Sequence, residues 1–320
     1  MNLVDRRQAM LQSGVVAAGL AISGQSSVNA SPAQNSVTAG RIRYCLNTST
    51  IRGQKVGLEQ EIAMAAAAGY DGIEPWIPNI RDYLKNGGTA EDLGKRIADA
   101  GLTVDSAIGF AQWIHPDDSR RANALEEARR DMDTLRMIGG TRLAAPPVGA
   151  HSGNSPVLDL DVVTERFAAL QKIGDDSGVI PQLEVWGFST NLSRLGEVAY
   201  VAAQTGHPQS CLLLDTYHIH RGGSEFGGLS VFSDEALQVF HMNDYPANPR
   251  REELKDADRV YPGDGIAPMD AILQALAGGG RSITLSLELF NPTYWMEDAA
   301  DVVKTGLQKM QASVKRAGLA

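Results

Sequence analysis

Four apolar runs in the second half of the chain each end in a residue that can bind a metal or move a proton. They are Pro181-Gln-Leu-Glu184, Cys211-Leu-Leu-Leu-Asp215, Leu237-Gln-Val-Phe-His241 and Ile283-Thr-Leu-Ser-Leu-Glu288. One such residue alone is more often a helix N-cap or a core histidine. Four in succession, on four consecutive predicted strands, point to a site. Neighbouring strands lie about 4.8 Å apart, so the four ends can line one side of a sheet edge. Crowded carboxylates would raise one another's pKa unless a cation neutralised them. Three acids and one imidazole suit a single divalent ion. Mn²⁺ fits best, with Mg²⁺, Co²⁺ and Zn²⁺ as the other candidates. Glu184, Asp215, His241 and Glu288 are therefore the candidate metal ligands.

The elements that must position them follow a regular alternation. Strands are expected at 42–46, 71–76, 103–108, 141–145, 180–186, 211–215, about 238–241 and 283–289. Helices are expected at 58–68, 89–100, 119–138, 162–177, 192–205, 269–277 and 295–316. Thr89 is a suitable N-cap, and Gly69, Gly101 and the Gly139-Gly140 pair are suitable stops. Eight evenly spaced β/α units predict an α/β fold, the (β/α)8 TIM barrel, whose function sits at the carboxyl ends of the strands. A doubly wound open sheet is the alternative. It fits less well, because no glycine-rich nucleotide fingerprint follows any strand.

Composition bounds the rest. The chain has 320 residues, 43% hydrophobic and 21% charged, with a net charge of −9. This is ordinary for a globular enzyme, and the acidic balance without a basic block argues against nucleic acid as a partner. The expected partner is a small molecule. Residues 1–30 read differently. Asp5-Arg6-Arg7-Gln8 precedes a small-residue apolar run from Gly14 to Ser23, and Val28-Asn29-Ala30 forms a small-x-small cleavage site. This is the pattern of a cleaved secretory signal, with paired arginines of the twin-arginine type. The run is too short and too rich in Ala and Gly for stable membrane insertion. Residues 31–40 are a linker, 41–320 the barrel, and the expected location is the periplasm. Cys45 and Cys211 lie in predicted strands and are expected to be buried and free.

Several other residues fall at strand ends or just beyond: Glu74, Trp76, Trp113, His115 and Trp186. Aromatic faces suit the C–H surface of a sugar, so Trp186 and Trp113 are candidate walls of a substrate pocket. Glu74 and His115 are further candidate substrate contacts.

The ligand pattern resembles the xylose isomerase-like TIM barrel superfamily, and within it the sugar phosphate isomerase/epimerase family. The resemblance is carried by Glu184, by Gly206-His-Pro208 through Leu214-Asp-Thr-Tyr-His218-Ile-His-Arg221-Gly-Gly-Ser224, by His241-Met-Asn-Asp244, by Pro262-Gly-Asp-Gly265 and by Glu288. It runs from about residue 41 to the end and implies a divalent-metal-dependent isomerase or epimerase acting on a sugar or related polyol. Glu184 and Glu288 would then be the acid/base pair around a metal-bound enediolate, and His218 would touch a substrate hydroxyl. The same site could instead serve a lyase or dehydratase acting on a keto-sugar, an inosose or a dehydroshikimate-like substrate. A homo-oligomer would also be consistent with the resemblance. One position departs from the pattern: where free-ketohexose 3-epimerases carry a second substrate-facing Glu, this chain has Thr190. The substrate arginine that follows the metal histidine could be Arg250, Arg251 or Arg259. Two rival classes are weaker. An apurinic endonuclease would need more histidine ligands and a basic face, and a non-catalytic sugar-binding barrel would not need a metal.

Overall fold

The structure, a computed structural model, describes residues 41–320. The expected export signal and linker lie outside the described residues. The strands are β1 (Ile42–Asn47), β2 (Gly72–Glu74), β3 (Thr103–Val104), β4 (Ala107–Ile108), β5 (Arg142–Ala145), β6 (Ile180–Glu184), β7 (Cys211–Asp215), β8 (Val239–Met242) and β9 (Ile283–Leu287). Every pairing is parallel, in the order β3-β2-β1-β9-β8-β7-β6-β5-β4. The two outer members, β3 and β4, are halves of one stretch expected as a single strand. A further bridge joins Trp76 to Ile108. The sheet therefore closes on itself, and the TIM barrel expectation holds.

The break at Asp105-Ser106 has a side-chain cause. The Asp105 carboxylate turns to Arg43 and accepts from the Thr103 hydroxyl, while Ser106 donates inward to Gln182 at 2.9 Å. Asp105 turns to groups near the amino-terminal end of the barrel and Ser106 to the barrel core, and strand pairing lapses between them.

Helices wrap the outside: α1 (Leu58–Ala68), α2 (Ile77–Lys85), α3 (Ala90–Asp99), α4 (Asp118–Met137), α5 (Leu160–Ser177), α6 (Leu195–Gln204), α7 (Thr216–Arg221), α8 (Met269–Ala277) and α9 (Ala299–Arg316). The sequence signals act as expected at several ends. The Thr89 hydroxyl accepts from the Asp92 N–H, and Gly69 ends α1 in the left-handed region at φ 96°. Two helices, α2 and α7, were not anticipated. The first begins immediately after Trp76 with Pro78 in its first turn, and the second is nucleated by Asp215, whose Oδ1 accepts from His218 N at 2.7 Å. The closing helix starts at Ala299 rather than at residue 295, because Asp298 caps it. Tyr294–Met296 forms a separate short 3-10 turn. Cys45 and Cys211 are buried and free, as expected. Among the described residues, no helix is long and apolar enough to cross a membrane.

Glu61 in α1 is an acid at a buried position, 2% exposed, and its Oε2 makes no hydrogen bond. Burial raises its pKa from 4.5 to about 7, with the Asn79 amide offsetting part of the effect. The folded state then favours the neutral carboxyl, whereas the unfolded chain ionises near 4.5. Stability is full below the unfolded value and is lost as pH rises towards the folded one. We predict that Glu61→Gln is more stable than wild type at pH 8 by up to roughly 3 kcal/mol. The difference should vanish near pH 4, and paired urea titrations at the two pH values would measure it.

Candidate metal centre and substrate cavity

The carboxyl rim collects its polar groups because β6, β7, β8 and β9 run side by side in register. Asp215 pairs with His241 across β7 and β8, and His241 pairs with Ser286 across β8 and β9. Ligand atoms of Asp215, His241 and Glu288, all buried, lie within 4.8 Å of one another. His241 Nδ1 is 3.1 Å from Glu288 Oε2 and 3.9 Å from Asp215 Oδ2. Even so it has no hydrogen-bond partner. A ring nitrogen and two carboxylate oxygens that converge without bonding one another are a donor set for a cation. Glu184 reaches the same cavity from β6 but is not in this cluster. Its Oε1 accepts from Trp186 Nε1 at 3.0 Å, and its Oε2 has no partner. The described residues thus bring three of the four expected ligands together, with the fourth beside them, and the donor set fits a divalent ion.

The groups behind the cluster hold it in place. Glu74 was expected to contact substrate, but the structure corrects this. Glu74 is fully buried on the far side of His241, and its Oε2 faces His241 Nε2 at 3.0 Å. It also accepts from Ser286 Oγ at 2.6 Å and Asn47 Nδ2 at 2.9 Å. A carboxylate on the outer nitrogen of a histidine fixes the ring so that the other nitrogen presents its lone pair to a metal. Asn47 also donates to Glu288 Oε1 at 3.2 Å and accepts from Trp76 Nε1 at 2.9 Å. Asn243 donates to Asp215 Oδ2 at 2.8 Å and accepts from Tyr217 N at 3.0 Å. Neither asparagine was singled out from the sequence, although each sits at or just past a strand end, where the three acids and the histidine of the candidate ligand set were found.

Of the three loop arginines, only Arg259 lines the cavity. It is 1% exposed, and its Nη1 donates to Asp215 Oδ2 at 2.9 Å and to Glu288 Oε2 at 2.7 Å. Its Nη2 donates to Asp256 at 2.6 Å and contacts His218 Nε2 at 3.0 Å. The guanidinium lies over the rings of Tyr217 and Phe290. Arg250 and Arg251 pair with neighbouring glutamates at the surface. The loop that delivers Arg259 is anchored by Asp244, whose carboxylate accepts from the N–H groups of Gly263, Gly265 and Ala267. A Cβ on Gly265 would lie 2.3 Å from Tyr245 O, so the Pro262-Gly-Asp-Gly265 turn needs its second glycine.

These charges separate the carboxyls. Burial raises Glu184 to about 8, an effect that the His241 charge only partly offsets. Glu288 is equally buried, but His241 and Arg259 outweigh the burial and hold it well below the carboxylate range. Burial disfavours the charged form of His241, yet Glu288 and Glu74 raise it well above the ordinary imidazole value. His218 is driven down, first by burial and then by Arg259, and is neutral.

The cavity has a volume of about 380 Å³. Glu184, Glu288, His218 and Arg259 form its polar side, and Trp76, Trp186, Phe110, Phe188, Phe290 and Trp295 form its aromatic side. Trp186 lines it. Trp113 and His115 do not, and both expectations are corrected. Trp113 is buried in the core, donates to Pro146 O at 2.8 Å and packs on Phe167. His115 accepts from Asp117 N at 2.9 Å at the start of α4. Strand β4 ends at Ile108, and the loop has turned away from the rim before it reaches them. Thr190, which stands where an epimerase glutamate was sought, donates to Ser152 O at 2.6 Å and joins two loops.

A family model for the xylose isomerase-like TIM barrel matches residues 62–312. The chain is similar to the inosose isomerase of Halalkalibacterium halodurans, with 31% identity over 269 residues that span 82% of this chain and 93% of that one. It is also similar to the 3-dehydroshikimate dehydratase of Pseudomonas aeruginosa, with 26% identity over 241 residues that span 73% of this chain and 36% of that protein. Among solved structures, the IolI protein with a bound zinc atom shares the fold at a TM-score of 0.79 and 23% identity, covering 86% of this chain and 99% of that one.

Arg259 neutralises buried carboxylates that would otherwise face one another. Removing one partner of such a cluster costs about 3–5 kcal/mol. We predict that Arg259→Met lowers the unfolding free energy of the metal-free protein by about that amount, and that Arg259→Lys lowers it less. Urea denaturation in EDTA measures both, and an unchanged midpoint for the methionine variant would contradict this role.

Proposed function

This chain belongs to the xylose isomerase-like TIM barrel family, and we propose that it is a divalent-metal-dependent isomerase or epimerase of a sugar or related polyol. The observation that carries this reading is the convergence of Asp215, His241 and Glu288 at the wall of an aromatic cavity. In this reading these three residues hold one ion, and Glu184 supplies the fourth ligand. The donor set, rich in carboxylate oxygen, favours Mn²⁺, although the related IolI structure carries zinc. A bound ion would act as a Lewis acid on substrate oxygens and make a neighbouring C–H acidic.

The chain's own residues do the rest. Glu184 and Glu288 end the outer two of four adjacent strands, β6 and β9, and so approach a substrate from opposite flanks. One accepts the proton from the carbon next to the carbonyl, and the other returns a proton. Return on the opposite face epimerises that carbon, and return at the neighbouring carbon isomerises the sugar. Arg259 and His218 would hold substrate hydroxyls. Trp186 and the facing rings would pack on the C–H face of the sugar and keep water out.

The similarity to a 3-dehydroshikimate dehydratase supports a second reading, in which the same proton abstraction expels a β-hydroxyl. Mass separates the two, because a dehydratase product has lost water. We further propose that residues 1–30 direct export, so that the chain recovered from the periplasm begins near Ser31. N-terminal sequencing of that fraction tests this, and an intact Met1 there would contradict it.

The main test is proton NMR in D₂O with Mn²⁺-loaded protein and a panel of ketoses and inososes. Deuterium should enter one carbon of a turned-over substrate. EDTA should abolish exchange, and added Mn²⁺ should restore it. Glu184→Gln and Glu288→Gln should each lower kcat by about 10²–10⁴-fold. Full exchange by either variant would remove the acid/base pair from the reaction.

A further inference from the structure

A second cavity, of about 610 Å³, opens on the same face of the barrel. Its walls come from the segment that follows the carboxyl end of β1 and from α2, which follows the carboxyl end of β2. Arg52, Gln60, Glu61, Asn79, Asp82 and Tyr83 are among its lining residues. Arg52 lines the catalytic cavity as well. Its guanidinium is held over Trp76, Phe290 and Trp295 at 5.0, 5.2 and 5.4 Å, three rings that belong to or border the catalytic wall. One rigidly seated side chain is thus common to both spaces.

The lining is polar but offers no metal site: among the described residues, no acidic cluster other than that around His241 brings ligand atoms together. Nor does it carry a strong net charge, since Arg52 and Lys55 stand against Glu61 and Asp82 while Glu59 is bound to Arg96. Carboxyl, amide, guanidinium and phenol groups around a neutral space are the partners of hydroxyl groups. The strongest single observation is Glu61. It is buried, its Oε2 makes no hydrogen bond within the protein, and the Asn79 amide offsets only part of the cost of burying it. An unsatisfied carboxyl at the wall of a polar cavity is explained by a ligand that donates to it.

We propose that this cavity is a second sugar subsite, and that the substrate is a glycoside of a keto-sugar, whose carbonyl-bearing ring lies in the catalytic cavity and whose second ring lies between α1 and α2. The proposal rests on the sugar reading of the catalytic cavity and adds the class of sugar. Glu61, Asn79 and Arg52 act here as binding residues and take no part in proton transfer.

Calorimetric titration of Mn²⁺-loaded protein with methyl α-D-glucopyranoside and with a set of glucose disaccharides (sucrose, trehalose, maltose, cellobiose) tests it. At least one disaccharide should bind tenfold or more tightly than the methyl glycoside. Asn79→Ala and Glu61→Gln, the latter expected to fold at least as well as wild type, should bring that affinity down to the level of the methyl glycoside and leave the methyl glycoside unaffected. Equal affinity for one and two rings, or disaccharide binding indifferent to both variants, would overturn the proposal. Exchange of solvent deuterium into a free ketose is read separately. Its absence from every sugar would overturn the catalytic reading, whereas its presence with equal affinities would overturn only the second subsite.

Discussion

Glu74 and Glu288 approach one imidazole from its two sides, with no water-exposed surface between them. This arrangement sets the chemistry of the barrel rim. A histidine between two buried acids attracts a proton, and the acid nearer the cavity is held ionised in return. Arg259 adds a second cation against Asp215 and Glu288. The cluster is thus close to neutral while it waits for a ligand, and isolated buried charge, which costs several kcal/mol per ion, is avoided. A divalent ion entering between His241 Nδ1 and the two carboxylates would take over the neutralising role.

The surrounding loops exist to hold these charges in place. Asp244 binds three backbone N–H groups of the loop beyond it, and that loop brings Arg259 back over the barrel. Asp215 does two tasks with its two oxygens: one caps α7 and so places His218, and the other faces the cluster. Asn47 and Asn243 join strand ends that do not pair directly, β2 with β9 in the first case and β7 with β9 in the second. The rigidity that a proton-transfer site needs thus comes in good part from polar links between strand ends.

Much of this was legible in the sequence. An acid or histidine at the end of an apolar run stands out against the β/α period, so Glu184, Asp215, His241 and Glu288 were visible at once. The barrel was visible for the same reason. What the period cannot show is direction beyond the strand. Glu74 and Glu288 both end apolar runs, but one points behind His241 and the other in front of it, and only register decides which. Trp113 and His115 follow a strand that stops early, so loop geometry carries them away from the rim. Arg259 could not be separated from Arg250 and Arg251 because the turn that aims it depends on a carboxylate far back in the chain. Part of the aromatic wall was missed for a related reason. Phe290 fell just past the expected strand at 283–289 and drew no reading, and Trp295 was read as the start of a helix, whereas it occupies a short 3-10 turn before the Asp298 cap.

The most direct test of the account is the metal content of the protein. Purified wild-type chain and Asp215→Asn, each dialysed against Mn²⁺ and then against metal-free buffer, would be assayed by inductively coupled plasma mass spectrometry. The account predicts about one ion per wild-type chain and a large loss in the variant, with circular dichroism showing the barrel intact in both. A wild-type chain that retains no stoichiometric metal, or a variant that retains it fully, would contradict the assignment of the Asp215–His241–Glu288 cluster as the cation site.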